Sequence, residues 1–376
     1  MRRVQIAPRP DWEKKVEDLG FLYHSVDGAY WTETAYYSFS GAEVDTLERA
    51  TNELQRLCLD AAEHIVQNDR FAELSIPDKA VPFIKRAWEE EPPAIYGRFD
   101  LAFDGDSPPK LLEYNADTPT ALLEAAVIQW HWLQDVRPQA DQFNSIHERL
   151  IAKWQELKEY VTGPVTHFAH ADTLEDAMTT NYLRDTADQA GLATKPLLIT
   201  DIGWDNGSRQ FVDLDGQPIA TLFKLYPWEW LVHEEFADRL FESYDKTQWI
   251  EPIWKMLWSN KGVLAILWEL NPRHPNLLEA HIGSPGQMTE YVKKPLLGRE
   301  GANVMLLTKE WSLATPGDYG EEGFVFQAAA PVPNMDGAYP VIGSWVIDGE
   351  SSGIGVRESA DPITTNTSAF APHMME

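Results

Sequence analysis

Apolar residues between Gly41 and Asn68 recur mostly at three- and four-residue steps: Val44, Leu47, Leu54, Leu57, Cys58, Ala61, Ile65 and Val66. That spacing lines one side of a helix and predicts a long amphipathic α-helix over 41–68. Prolines at 77, 82, 92 and 93 then cut the chain into shorter elements. The period changes to two in 95–103 and again in 110–115, with the turn-rich segment 104–109 between them, so a β-hairpin is expected. Helices are predicted over about 120–133 and 139–161. Residues 162–235 alternate: a strand at 165–169, a helix over 174–190 stopped by Gly191, a strand at 196–200, and a strand entering a turn at 211–218. This order reads as βαβ packing. From about Trp258 the chain is richer in strands and glycine turns. The sequence carries no internal repeat and no low-complexity tract, and the small polar tail after Thr364 is expected to be ordered only by docking.

Composition narrows the function. The 376 residues hold 31 Lys and Arg against 59 Asp and Glu, a formal charge of −28. A chain so acidic lacks the basic footprint of a duplex DNA-binding protein, so no nucleic acid partner is expected. A cationic small substrate such as a polyamine is compatible with it. The single cysteine, Cys58, lies on the helical stripe and reads as a buried structural thiol. It permits no intramolecular disulfide and fits a reducing, cytoplasmic compartment. No apolar run approaches the ~20 residues of a membrane span, and the N-terminus has no secretory leader pattern. The 15 Trp and 13 Tyr must be largely covered, since so much exposed aromatic area would be unusual.

The hairpin carries candidate chemistry. Side chains two apart on a strand share a face, so Arg98 and Asp100 point one way, and Glu113 with Asn115 likewise. Phe99, Leu101, Leu112 and Tyr114 are expected on the core face. With the hairpin centred between Asp106 and Ser107, Asp100 faces Glu113 and Arg98 faces Asn115. Two opposed carboxylates repel unless a cation lies between them. Oxygen ligands from Asp, Glu and Asn suit Mg²⁺ carrying nucleotide phosphates, and Arg98 is placed to clamp a further anion. The same alternation would also arise on a solvated hairpin face with a surface Arg–Asp pair.

Further along, the segment 291–304 sets Lys293 and Lys294 at a strand end, then Gly298 and Gly301. Backbone N–H groups beside such glycines can approach an anion while a lysine supplies a charge. An ordinary hairpin turn has the same composition, and the Gly-Lys-Ser/Thr order of a Walker loop is absent. Lys261, before the apolar run Val263 to Leu270, reads as a second phosphate ligand or as a helix-end cation. The run 323–329 reads as a buried strand entering a linker, where a nucleotide base could bind backbone groups. His274 reads as structural. The ten histidines show no metal spacing, and no Gly-x-Ser-x-Gly elbow occurs.

Taken in order, Tyr96-Gly97-Arg98-Phe99-Asp100, Leu112-Glu113-Tyr114-Asn115-Ala116-Asp117-Thr118-Pro119, Lys261, Lys293-Lys294-Pro295 and Gly298-Arg299-Glu300-Gly301 resemble the synthetase domain of glutathionylspermidine synthetase over nearly the whole chain. Tyr182-Leu183-Arg184-Asp185 with Gln189-Ala190-Gly191, and Trp228-Glu229-Trp230, look like further landmarks. The resemblance implies a mixed α/β chain, an ATP-grasp fold with a preceding α/β module. Its motif order is circularly permuted, the Glu-x-Asn ligands preceding the phosphate lysines as in eukaryotic glutathione synthetases. It implies an ATP-dependent carbon–nitrogen ligase that joins a peptide-like carboxylate to an amine through an acyl phosphate, with ATP and two Mg²⁺ ions. By motif, Asp100, Glu113 and Asn115 would hold magnesium, and Arg98 and Arg357 would act on the transferring phosphoryl group. Arg98, Phe99, Asp100, Lys261, Lys294, Glu300, Gly301, Gln327 and Ala328 would surround the nucleotide. Thr118, Thr120, Glu175 and Asp176 would hold substrate, and Asp117, Glu124, Glu175 and Asp176 offer carboxylates to a cationic amine.

The chain departs from that pattern in two respects. It is too short to include the amidase domain of the bifunctional members, so no amidase activity is expected. Threonines also stand at 118 and 120 where serines are expected, which leaves open an acid substrate other than glutathione. The expected division is 1–160 for N-terminal helices plus the metal-site hairpin, 161–257 for an α/β substrate module, and 258–376 for the nucleotide-binding region. A non-catalytic nucleotide-binding protein and an ATP-dependent phosphotransferase are the competing readings, and homodimerisation stays open.

Overall fold

The computed structural model describes residues 1–26 and 28–376. The predicted long helix forms over Gly41–Gln67. Ser40 starts it with a reciprocal cap, its hydroxyl accepting from the Glu43 amide while the Glu43 carboxylate accepts from the Ser40 amide. Such a cap satisfies two N–H groups that a helix start leaves free. Val44, Leu47, Leu54, Leu57, Cys58, Ala61 and Ile65 are buried along one side, and burial pushes the Cys58 thiol well up, which leaves it inert. Val66, expected on the same stripe, is only partly buried.

The helix lies across a five-stranded antiparallel sheet of order Ala369–Ala371, Glu350–Ser359, Tyr339–Ile347, Tyr96–Ala102 and Lys110–Asn115. The last two strands are the predicted hairpin. The other three arrive from more than 200 residues later and cover its free edge. The stretch 258–376 therefore contributes to three sheets. Its first part builds a five-stranded antiparallel sheet of order Ala280–Ile282, Phe324–Ala328, Tyr291–Pro295, Met305–Leu307 and Ser312–Ala314. Its end, His373–Met375, pairs with Ala35–Phe39 near the N-terminus.

The βαβ reading of the middle is realised as a four-stranded parallel sheet, order Gln248–Ile250, Thr221–Leu225, Thr166–His170, Thr194–Leu198. Thr173 caps the helix Leu174–Gln189, accepting from the Asp176 amide. Two predicted helices differ. The first runs on to Val136 and contains a π-helical turn, Glu124–Ile128. The second, expected over 139–161, is only Ile146–Leu157. Gln142 and Asn144 spend their side chains on the carbonyls of His373 and Ala126, an alternative that competes with helix formation.

The hairpin is tied to both neighbouring sheets. The buried Lys224 donates to Asp117 at 2.6 Å, and the Trp228 amide donates to the other Asp117 oxygen at 2.9 Å. Glu251 accepts from the amides of Ile95 and Tyr96 at 2.9 and 3.1 Å, and Lys255 donates to the Tyr96 carbonyl at 2.7 Å. On the other side the Gln327 amide donates to Leu111 O at 2.8 Å. No helix among the described residues is long and apolar enough to cross a membrane.

Candidate active site

The hairpin register matches the expectation through its polar half: Arg98 faces Asn115, Phe99 faces Tyr114, and Asp100 faces Glu113. It then slips, Leu101 facing Leu111, so Leu112 is the extra residue of a β-bulge. Leu112, expected in the core, lines the cleft instead, and Leu111 is fully buried. Phe99, expected near the nucleotide, turns its side chain to the core face and stacks on Tyr114, ring centroids 3.8 Å apart. Alternation along the strand forces this, since Arg98 and Asp100 occupy the cleft face.

Arg98 grips Asp100 with two hydrogen bonds, Nε to Oδ1 at 2.6 Å and Nη2 to Oδ2 at 3.0 Å, and donates from Nη1 to Thr120 O at 2.7 Å. Both side chains are buried, which the solvated-face alternative excludes. Gly343 makes room for this pair. A Cβ there would lie 2.9 Å from Arg98 Cδ, closer than carbon atoms pack. Burial pushes the Asp100 carboxyl up, with Arg98 pulling against it. Burial acts the same way on Glu113, but the charges of Lys261 and Lys294 and a hydrogen bond from Asn115 outweigh it and hold the carboxyl well below its usual range. Lys261 Nζ lies 2.8 Å from Glu113 Oε2 and 2.7 Å from Gly298 O, so it reaches from a helix start to the glycine turn.

Lys294 donates to Leu112 O and to Gln327 Oε1, each at 2.8 Å. Its ammonium is buried, which drops its pKa to about 8. Its neighbour Lys293 instead lies over the Phe324 ring at 3.7 Å. The turn after this strand holds Glu300, Gly301 and Asn303 in left-handed backbone. At Gly301 a Cβ would meet Thr364 O at 2.6 Å, so only glycine lets this turn rest on the loop before the last strands. Arg299, which sequence reasoning passed over, anchors the turn to the opposite wall. It donates to Thr118 Oγ1 at 2.7 Å and to Glu229 Oε1 at 3.3 Å, with its guanidinium over Trp230.

These groups surround one cleft of about 760 Å³. Arg98, Asp100, Glu113, Asn115, Lys261, Lys294, Glu300, Gly301, Gln327, Ala328 and Arg357 line it, and so do Thr118, Thr120, Glu175 and Asp176. Of the residues singled out for a site, Phe99, Asp117 and Glu124 do not line it. Burial, with the Glu175 charge adding to it, pushes the Asp176 carboxyl up to about 6. Asp117 was expected to face a cationic substrate. It is buried and neutralised by Lys224, and nothing local announces a partner 107 positions away.

Among the described residues no three His, Cys, Asp or Glu side chains converge as a metal cluster. The trio Asp100, Glu113 and Asn115 offers two carboxylates and one amide oxygen, a hard all-oxygen donor set that suits Mg²⁺ and not zinc. Arg98 and Lys261 neutralise the two carboxylates, as a metal would. The residues present fit the ion.

A sequence model of the family described as glutathionylspermidine synthase preATP-grasp matches residues 3–376. The chain belongs to this family. It is 42% identical over 392 aligned residues to a protein of Haemophilus influenzae provisionally named an acid–amine ligase, covering 99% of each. It is 25% identical to the bifunctional glutathionylspermidine synthetase/amidase of Escherichia coli, matching 90% of this chain but 58% of that protein. Among solved structures, a glutathione synthetase-like effector from Globodera pallida in its apo form superimposes with a TM-score of 0.56 at 10% identity, covering 99% of this chain and 100% of the other. That likeness is one of fold.

Proposed function

We propose that the protein is an ATP- and Mg²⁺-dependent acid–amine ligase that forms an amide bond through an acyl phosphate on an ATP-grasp scaffold. The observation that carries this reading is the single cleft. It brings together three cations and two carboxylates, Arg98, Lys261 and Lys294 with Asp100 and Glu113, and beside them Thr118, Thr120 and the carboxylates of Glu175 and Asp176. The family membership supports the reaction class.

In this reading Lys261 and Lys294 bind ATP phosphates, and Gln327 and Ala328 stand beside the base. Asp100, Glu113 and Asn115 hold Mg²⁺, which neutralises phosphate charge. Arg98, already fixed by Asp100, meets the equatorial oxygens of the transferring phosphoryl group, where a positioned cation acts mainly on the transition state. Arg357 lies on the same wall. Thr118 and Thr120 hold the carboxylate substrate, and Glu175 and Asp176 receive the amine. The Gly298–Asn303 turn, fastened by Arg299, covers the reacting groups from water.

The test is an ATP-dependent hydroxamate assay. A panel of carboxylates, from single amino acids to glutathione, is incubated with ATP, Mg²⁺ and hydroxylamine. Hydroxamate formed in step with ADP and phosphate supports an acyl phosphate. ADP release with a stable phosphorylated product and no hydroxamate refutes the ligase reading.

A further inference from the structure

Two tryptophans two residues apart share the short helix Trp228–Leu231 and meet opposite fates. Trp228 is fully buried. Its amide donates to Asp117 Oδ2 at 2.9 Å and its indole N–H to the Glu251 carbonyl at 2.9 Å. Residues two apart on a helix point about 200° away from each other. Anchoring Trp228 in the core therefore turns Trp230 outward, and Trp230 lines the cleft while staying 38% exposed. Leu225, Tyr226 and Pro227 line the cleft with it. Lys224 holds this stretch by donating to Tyr226 O at 3.0 Å, and Tyr226 meets the Trp230 ring edge to face, centroids 5.3 Å apart. The result is an apolar, aromatic wall on a firm support.

One guanidinium joins this wall to the residue assigned to the carboxylate substrate. Arg299 donates to Thr118 Oγ1 at 2.7 Å, and its Cζ lies 5.7 Å from the centre of the Trp230 ring. A group attached to an acid held at Thr118 and Thr120 thus has Trp230 within reach. The open area of an indole suits either a cation or another aromatic ring. Arg299 already places a positive charge over this ring and would repel a second one. The carboxylates next in sequence are engaged, Glu229 by Arg299 at 3.3 Å and Glu234 by the Tyr226 hydroxyl. An aryl group meets no such repulsion and gains the packing.

We propose that Trp230 is a specificity-determining residue and that the carboxylate substrate carries an aromatic side chain, which packs against it. The proposal rests on the ligase reading and deepens it by naming the class of acid. The contact is remote from the reacting carboxylate and is the same in the bound substrate and in the transition state. It therefore lowers KM and leaves kcat nearly unchanged. Glutathione has no aromatic ring and gains nothing from this wall.

The hydroxamate assay with hydroxylamine in excess reads the acid alone. Matched acids are compared: alanine with phenylalanine, and glycyl-alanine with glycyl-phenylalanine, with glutathione beside them. The aromatic member of a pair should have a KM lower by about tenfold at similar kcat, and glutathione should behave like the aliphatic members. Trp230→Ala should erase the preference by raising the KM of the aromatic member alone, and Trp230→Phe should keep most of it. Equal KM within every pair, or glutathione preferred over the aromatic acids, overturns the proposal and leaves the ligase reading in place. So does a Trp230→Ala enzyme whose KM rises equally for both members, which reduces Trp230 to a prop for Arg299. A KM rise in Trp230→Ala confined to the amine, measured with spermidine in place of hydroxylamine, puts a cation on the ring and overturns the proposal as well. No hydroxamate from any carboxylate overturns the ligase reading and this proposal together.

Discussion

Asp117 offers a sharp test of how the site is assembled. It follows the hairpin by two residues, immediately precedes Thr118, and fastens that corner to the parallel sheet through Lys224 and the Trp228 amide. The Lys224 ammonium is buried over the Trp228 ring, and burial pushes its pKa down, so the lysine depends on Asp117 to stay charged. Unit charges about 3 Å apart attract by ~5 kcal/mol at an effective dielectric of ~20. Much of that attraction offsets the desolvation of both groups, so the pair as a whole stabilises little. Removing one partner is different. Asp117→Asn sets an amide N–H against either Lys224 or the Trp228 amide and leaves a buried cation, which costs about 3–5 kcal/mol. For a chain of 376 residues the unfolding entropy converts this to a drop in Tm of about 5 °C. The assay is thermal unfolding followed by circular dichroism, with urea unfolding beside it. Lys224→Met should be similarly destabilised. The double variant Asp117→Asn/Lys224→Met should lose less than the sum of the single losses by about 2 kcal/mol. An Asp117→Asn protein within about 1 °C of wild type, or strictly additive single variants, would refute the reasoning.

Three further outcomes are expected. Lys294 gives up its proton above about pH 8. The cation attracts phosphate and its neutral form does not, so the ATP Kd should rise about tenfold from pH 8.5 to 9.5, with proton uptake on binding seen by calorimetry in buffers of different ionisation enthalpy. Lys294→Met should bind ATP about 1.5–3 kcal/mol more weakly at pH 7 and show no such slope; a slope that survives the substitution takes Lys294 out of the nucleotide site. Gly343→Ala should push Arg98 off Asp100, because the new Cβ falls 2.9 Å from Arg98 Cδ; turnover should drop roughly tenfold while the ATP Kd stays nearly constant, and wild-type turnover would mean that Arg98 does not act at the phosphoryl group. Glu113→Gln should raise the Mg²⁺ concentration needed for half-maximal ATPase or ligase activity by about tenfold or more, and an unaltered Mg²⁺ titration counts against the assigned ligand set.

Local periodicity was enough for the elements whose pattern is set by near neighbours. The stripe in 41–68 could only be buried as a helix, and the serine–glutamate cap at 40 and 43 fixed its start. The polar half of the hairpin register followed from alternation about the turn at 104–109, because one slip would have sent Arg98 and Asp100 into the core. Those constraints act over a few residues, and the sequence shows them directly. The contacts that turn the hairpin into a cleft act over hundreds of residues. Pairing of Tyr339–Ile347 with Tyr96–Ala102 buries Arg98, so what alternation alone left open as a surface ion pair becomes a buried grip on Asp100. The bulge at Leu112 exchanges the core positions of Leu111 and Leu112. Lys224 neutralises Asp117, a residue that by itself looked free to meet a substrate. Glu124, expected to offer its carboxylate to a cationic amine, is instead buried at the start of a π-helical turn and does not line the cleft. In each case the deciding quantity is what lies on the far side of the residue: desolvation, close approach and charge pairing are properties of the assembled layers, and no local pattern encodes them.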